Sequence, residues 1–248
     1  MSDEDQLFPG EKSSDSGDGC WLLWWSLTAF VVGYLLLPAA GMLIFKRGTP
    51  GQAAMAVGGS LLSLLMLLAG GRRQAGSWRA FFTQLDLKWP PLKIVLLLWP
   101  LALAIALTGG ALTLGWTWAA ERCGIKFALP PTLEIMCNGS LWQVIGLSFS
   151  ALAAAPLFEE ILFRRALCGF LKNWCGVIPA ALVTAVVFAA MHFNWQQLPG
   201  LMFFSIVWQW CYYRSRSLLT AVILHFFNNL FSVVMLWAVR CWGSGMDI

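Results

Sequence analysis

Six stretches of the chain, at residues 19–45, 48–71, 94–120, 135–158, 173–213 and 217–239, contain no Asp, Glu, Lys or Arg. Each is long enough for the roughly 20 residues that cross the hydrocarbon of a bilayer, and the fifth can hold two crossings. With 59% hydrophobic and only 11% charged residues, the chain cannot clothe a single globule in polar side chains, so most of its surface must meet lipid. Backbone groups in lipid must be hydrogen-bonded within their own segment, and the sequence lacks the alternation of a membrane barrel, so the crossings are helices. The expectation is an all-α fold: a polytopic transmembrane helical bundle of about seven spans, near 21–45, 52–71, 94–119, 142–172, 177–196, 198–213 and 217–241. An eighth, short or re-entrant segment fits the same pattern.

Residues 1–20 are acidic and rich in Ser and Gly, with no basic region before the first apolar run, and are expected to form a disordered tail. The transmembrane helical domain then occupies 21–242. Lys and Arg set its orientation. With the N-terminus in the cytoplasm, eleven basic residues fall inside and five outside. The inner set includes Arg72, Arg73, Arg79, Lys88 and Lys93, the outer set Lys46, Arg47, Arg122, Lys126 and Arg240. The net charge of +4 follows from this bias, and no basic, aromatic-interleaved face supports nucleic acid binding. Seven cysteines lie scattered without C-x-x-C spacing, and there is no phosphate-binding or dinucleotide glycine pattern. The chain is read as an integral, multi-pass membrane protein whose first partner is lipid.

An ionisable side chain at membrane depth costs roughly 2.5–3.5 kcal/mol on insertion scales and marks a functional position. Here those residues are Glu159, Glu160, Arg164, Arg165, His192 and His225, and the two histidines are the only ones in the chain. If the fourth helix ended at Glu159, that side chain would lie at the membrane surface, far from His192. If the helix continues to about Lys172, a rise of ~1.5 Å per residue places Glu159, His192 and Asn229 roughly 20–22 Å from the cytoplasmic end and His225 roughly 13 Å from it. The four groups then share a layer.

Glu160 and Arg164 are four residues apart with the acid first, the order that pairs opposite charges on one helix face. Glu159 points about 100° away and is left for chemistry. Arg165 is expected to extend toward water. His225 and Asn229 share a face, and both can donate hydrogen bonds to a developing oxyanion. A carboxylate and an imidazole can deprotonate a water held between them. From the residues alone, three readings stay open: a peptidase, a non-catalytic cavity that binds a peptide or partner, and a proton relay in a transporter.

The segments Glu159-Glu160-Ile-Leu-Phe-Arg164, Phe188-Ala-Ala-Met-His192 and His225-Phe-Phe-Asn-Asn229 resemble, in order, the E-E-x-x-x-R, F-x-x-x-H and H-x-x-x-N/B motifs of the CPBP family. These are intramembrane glutamic endopeptidases related to the type II CAAX prenyl protease and to bacteriocin-processing proteins. The resemblance covers about residues 141–235. It implies that Glu159 and His192 activate the attacking water, that His225 and Asn229 stabilise the oxyanion, and that Glu160 and Arg164 hold the geometry. It implies a peptide or lipidated-protein substrate and no cofactor. Zinc is the alternative, because Glu159, His192 and His225 would make a His₂Glu set with one open position. The short chain without large loops is expected to sit in a bacterial or archaeal cell membrane.

Overall fold

The computed structural model describes residues 16–46, 49–127 and 131–243, and among these there are nine helices and no strand. Helix α1 spans 16–44, and α2 spans Pro50–Ala75; a short α3, Trp78–Gln84, leads to α4, Leu92–Arg122. The short α5, Pro131–Asn138, precedes α6, Leu141–Cys175. Helices α7, Val177–Met191, α8, Leu198–Ser215, and α9, Leu218–Gly243, complete the chain. The seven long helices lie where the seven apolar segments predict them. The expected tail lies outside the described residues as far as residue 15, and 16–20 already belong to α1.

Five of the seven, α1, α2, α4, α6 and α9, are long and apolar enough to cross a membrane by themselves. Helix α7 has only 15 residues, about 22 Å of rise against a hydrocarbon thickness of ~30 Å. Helix α8 carries Ser205, Gln209 and two tyrosines among its 18 residues, too polar a set to qualify. Each packs one face on its neighbours, α7 against α6 and α8, and α8 against α4 and α9, and keeps exposed apolar residues such as Leu182 and Trp210 on the other. The outward faces are apolar: Leu43 is 89% exposed and Leu114 72% exposed, as lipid-facing side chains must be in the absence of lipid. The chain is an integral membrane protein.

Helix α6 lies at the centre, in contact with α1, α2, α7 and α9. Its start is fixed by a capping box in which Ser140 and Gln143 satisfy each other's backbone N–H groups. Its end is a single residue, Gly176, with φ 84°, and this sharp reversal sends α7 back along α6. Two π-helical turns are explained by proline. Pro38 and Pro156 lack an N–H, and their rings crowd the carbonyl four residues back; wide turns at Val31–Leu36 and Ser150–Ala154 precede them. A third π turn, Ile161–Leu167, follows Glu160 directly and has no proline to account for it. All three border the functional site.

Helices α1 and α2 meet through glycine. A Cβ on Gly33 would collide with Ser63 and the Gly59 carbonyl, and one on Gly59 with the Gly33 carbonyl, a contact of the small-residue kind that drives helix association in lipid. Ser63 Oγ donates across it to the Ala29 carbonyl at 2.8 Å. Gly59→Leu therefore forces the helices apart; the expected result is a loss of about 1–3 kcal/mol, read as a lower thermal unfolding midpoint in detergent.

The short α3 closes one end of the bundle. Leu218 N donates to the Asp86 carbonyl at 3.0 Å, Tyr212 Oη to Asp86 Oδ2 at 3.2 Å, and Ser217 Oγ to the Lys88 carbonyl. Arg165 Nε donates to the Gln84 carbonyl at 2.7 Å. Arg165, expected to extend toward water, stays partly exposed and also caps the end of α3, so its guanidinium pins α3 to α6.

Candidate functional site

Glu159 and Glu160 lie in the short α-helical stretch Ala155–Glu160 between two π turns of α6, and both are buried. Glu160 faces two partners. Its Oε2 accepts from Arg164 Nε at 2.8 Å, and its Oε1 lies 2.9 Å from His225 Nδ1. Arg164 continues the chain of contacts: its Nη1 donates to Ser205 Oγ of α8 at 2.7 Å, and its guanidinium lies 5.1 Å above the Phe188 ring and 5.8 Å from that of Trp208. Every partner offsets part of the cost of burying these charges.

Glu159 turns the other way. Its Oε2 lies 3.8 Å from His192 Nε2 and 4.0 Å from His225 Nε2. Nδ1 of His192 is 2.7 Å from the Phe188 carbonyl, which can only accept, so the ring proton sits on Nδ1 and a neutral His192 presents a bare Nε2 to Glu159. His225 is gripped between Glu160 and the Trp208 ring, which stacks on it with centroids 4.3 Å apart and 23° between planes. The Phe188 ring packs edge-on against His225 and also touches His192.

His192 is not inside a helix. Helix α7 ends at Met191 instead of the expected 196, and His192 is its C-cap residue. Phe193, with φ 49°, then turns the chain toward α8. The turn is braced by Trp116 of α4, whose Nε1 donates to the Trp195 carbonyl at 3.0 Å. The His192 side chain keeps 31% of its exposure, against 9% for Glu159 and 4% for His225, so the site opens on the His192 side.

Asn229, one turn beyond His225 on α9, donates through Nδ2 to the Ala151 carbonyl at 2.8 Å. That carbonyl lies in the π turn Ser150–Ala154, where the i to i−4 ladder is interrupted and carbonyls are free to accept. The structure thus brings Glu159, His192 and His225 to one point, ties Glu160 and Arg164 behind His225, and anchors Asn229 to α6 at Ala151, eight residues before Glu159.

Ligands that share a tetrahedral zinc at ~2.0–2.2 Å lie about 3.3–3.5 Å apart. The separations from Glu159 to the two imidazoles are wider. Among the described residues no group of three or more His, Cys, Asp or Glu is arranged to hold a metal ion.

Sequence reasoning missed four contributors. Ser205 and Trp208 are ordinary residues of an apolar helix until the fold sets them against Arg164 and His225. The link between Glu160 and His225 joins residues 65 positions apart, beyond any local spacing rule. Tyr34 of α1 stacks on Phe158, the residue before Glu159; Pro38, four residues on, is the one sequence sign that the helix is distorted there.

The fold and the site together define an integral membrane protein with an acid–imidazole cluster held between its helices. Residues 140–231 match the family model described as Type II CAAX prenyl endopeptidase Rce1-like. This is the family grouping that the three motifs resemble, it is a family of proteases, and the matched residues contain every member of the cluster from Glu159 to Asn229. No curated protein and no solved structure matches the chain.

Proposed function

We propose that the protein is an intramembrane endopeptidase that hydrolyses a peptide bond of a membrane-associated, CAAX-type substrate with water activated by Glu159 and His192. The observation that carries this reading is the convergence of two imidazole Nε2 atoms on one carboxylate oxygen, at 3.8 and 4.0 Å, spacings that one water spans. Such a water donates one hydrogen to Glu159 and the other to the bare Nε2 of His192, leaving a lone pair for the scissile carbonyl carbon. As the C–O bond forms, Glu159 takes the proton; it returns the proton to the amine nitrogen as the C–N bond breaks.

The carbonyl oxygen gains charge in the tetrahedral intermediate and needs donors. His225 with both ring protons offers Nε2–H, and its positive charge is supported by Glu160. In that state two carboxylates face one guanidinium and one imidazolium, so the cluster is neutral as a whole, which suits a low-dielectric site. Asn229 supplies a second donor through the Nδ2 hydrogen that Ala151 does not take. The N-terminus is proposed to be cytoplasmic, which puts the basic end around Arg72, Arg79 and Lys88 on the inner surface.

The test is cleavage of a fluorescent farnesylated CAAX peptide by purified protein in liposomes. The expected result is hydrolysis at a single bond, unchanged by o-phenanthroline, because the mechanism uses no metal. Loss of activity with the chelator and its return with zinc would replace the glutamate mechanism. A wild-type protein that binds the peptide without cleaving it would make the cavity a binding site.

A further inference from the structure

Glu159 has a neighbour that does not come from the matched segment. Tyr34 lies in the π turn of α1, and its ring is held in a three-ring stack: Phe30 on one side, with centroids 5.2 Å apart, and Phe158, the residue before Glu159, on the other at 5.4 Å. The planes differ by only 15° and 19°, so the stack fixes the direction of the Cζ–O bond. The Gly33–Gly59 contact brings this turn deep into the bundle, and the Pro38 ring accounts for its width. The hydroxyl has no solvent and no hydrogen-bond partner, and the same is true of Glu159 Oε2.

The stack on Phe158 sets that hydroxyl beside Glu159, and Ser60 and Glu159 both act on it electrostatically. Ser60 Oγ gives its own hydrogen to the Ala56 carbonyl at 3.3 Å and can offer Tyr34 only a neutral lone pair. A carboxylate is the stronger acceptor, by roughly a factor of two in bond energy. The remaining groups around Glu159 are His192 after α7, His225 of α9, and Glu160 and Arg164 of its own helix. None of them donates a hydrogen bond to Glu159.

We propose that Tyr34 is a positioning residue for Glu159: the two solvent-free oxygens, neither partnered in this structure, are each other's available partner, and a small turn of the carboxylate lets the hydroxyl donate to it and steady it toward His192 and His225. Its effect on turnover rests on the peptidase reading above; its contact with Glu159 does not. The site is then completed by α1, so residues 140–231 alone lack one of its parts.

The experiment uses the full chain in lipid nanodiscs. Tyr34→Phe keeps the stack and deletes one oxygen. The infrared band of the Glu159 carboxyl group, identified by its loss in Glu159→Gln, is expected to shift in Tyr34→Phe. On the farnesylated peptide, kcat is expected to fall about tenfold with KM unchanged, the size of a lost hydrogen bond to a charged group. An unmoved band overturns the proposal, as does wild-type kcat in Tyr34→Phe when Glu159→Gln is inactive. If Glu159→Gln is itself fully active, the assignment of Glu159 as the base falls and the band decides the contact alone.

Discussion

Glu159→Gln is expected to lower kcat for peptide hydrolysis by about 10²–10⁴-fold, the range in which a positioned general base contributes. Glutamine has the same length and nearly the same shape, so the packing of Phe158 on Tyr34 and the path of α6 are retained. What is lost is the ability to take a proton. The amide also turns an NH₂ toward the bare nitrogen of His192, 3.8 Å away, so a water that needs two acceptors finds one of them occupied. Substrate binding has no reason to change, so the loss falls on kcat and not on KM. The measurement is steady-state kinetics in liposomes at matched protein levels. Wild-type turnover by Glu159→Gln would remove Glu159 as the base, since shape survives this substitution and basicity does not.

The parts of this molecule that could be read from the sequence are those with a short-range physical cause. Charge-free runs locate the long helices because the bilayer tolerates little else, and the four-residue interval from Glu160 to Arg164 sets the pair on one face because the helix repeats every ~3.6 residues. The common depth of Glu159 and His192 follows from helix rise once α6 is allowed to run past Glu160, and it does so to Cys175; the same arithmetic leaves His225 about 7 Å short, and tertiary packing brings it in. The limits of α7 were less legible: no glycine or proline marks Met191, and the turn at Phe193 takes a left-handed φ that its residue type does not advertise. The π turns leave only indirect marks in Pro38 and Pro156, and the third leaves none. Contacts such as His225 to Glu160 and Trp208 to His225 depend on which helices become neighbours, and periodicity within one helix carries no information about that.

The Glu160–Arg164 pair separates folding from catalysis. Arg164→Leu leaves the Glu160 carboxylate with no exposure and no fixed cation, while Ser205 loses its donor. Removing one member of a buried pair costs about 3–5 kcal/mol, so the expected result is a large drop in thermal midpoint and poor recovery from the membrane. Arg164→Lys recovers only part, because an ammonium cannot serve Glu160 and Ser205 with a planar fork while lying over the Phe188 and Trp208 rings. The informative protein is Glu160→Leu combined with Arg164→Leu. Replacing both charges with apolar groups of similar volume removes the desolvation cost along with the attraction, and such swaps are often neutral. Stability is therefore expected to return toward wild type, with a coupling energy readable in a double-mutant cycle. Activity is not expected to return, because His225 Nδ1 loses the carboxylate 2.9 Å away that orients the ring and supports its charge. A double mutant that regains both would mean that Glu160 matters only as the counter-ion of Arg164, and that the Trp208 stack alone holds His225 in place.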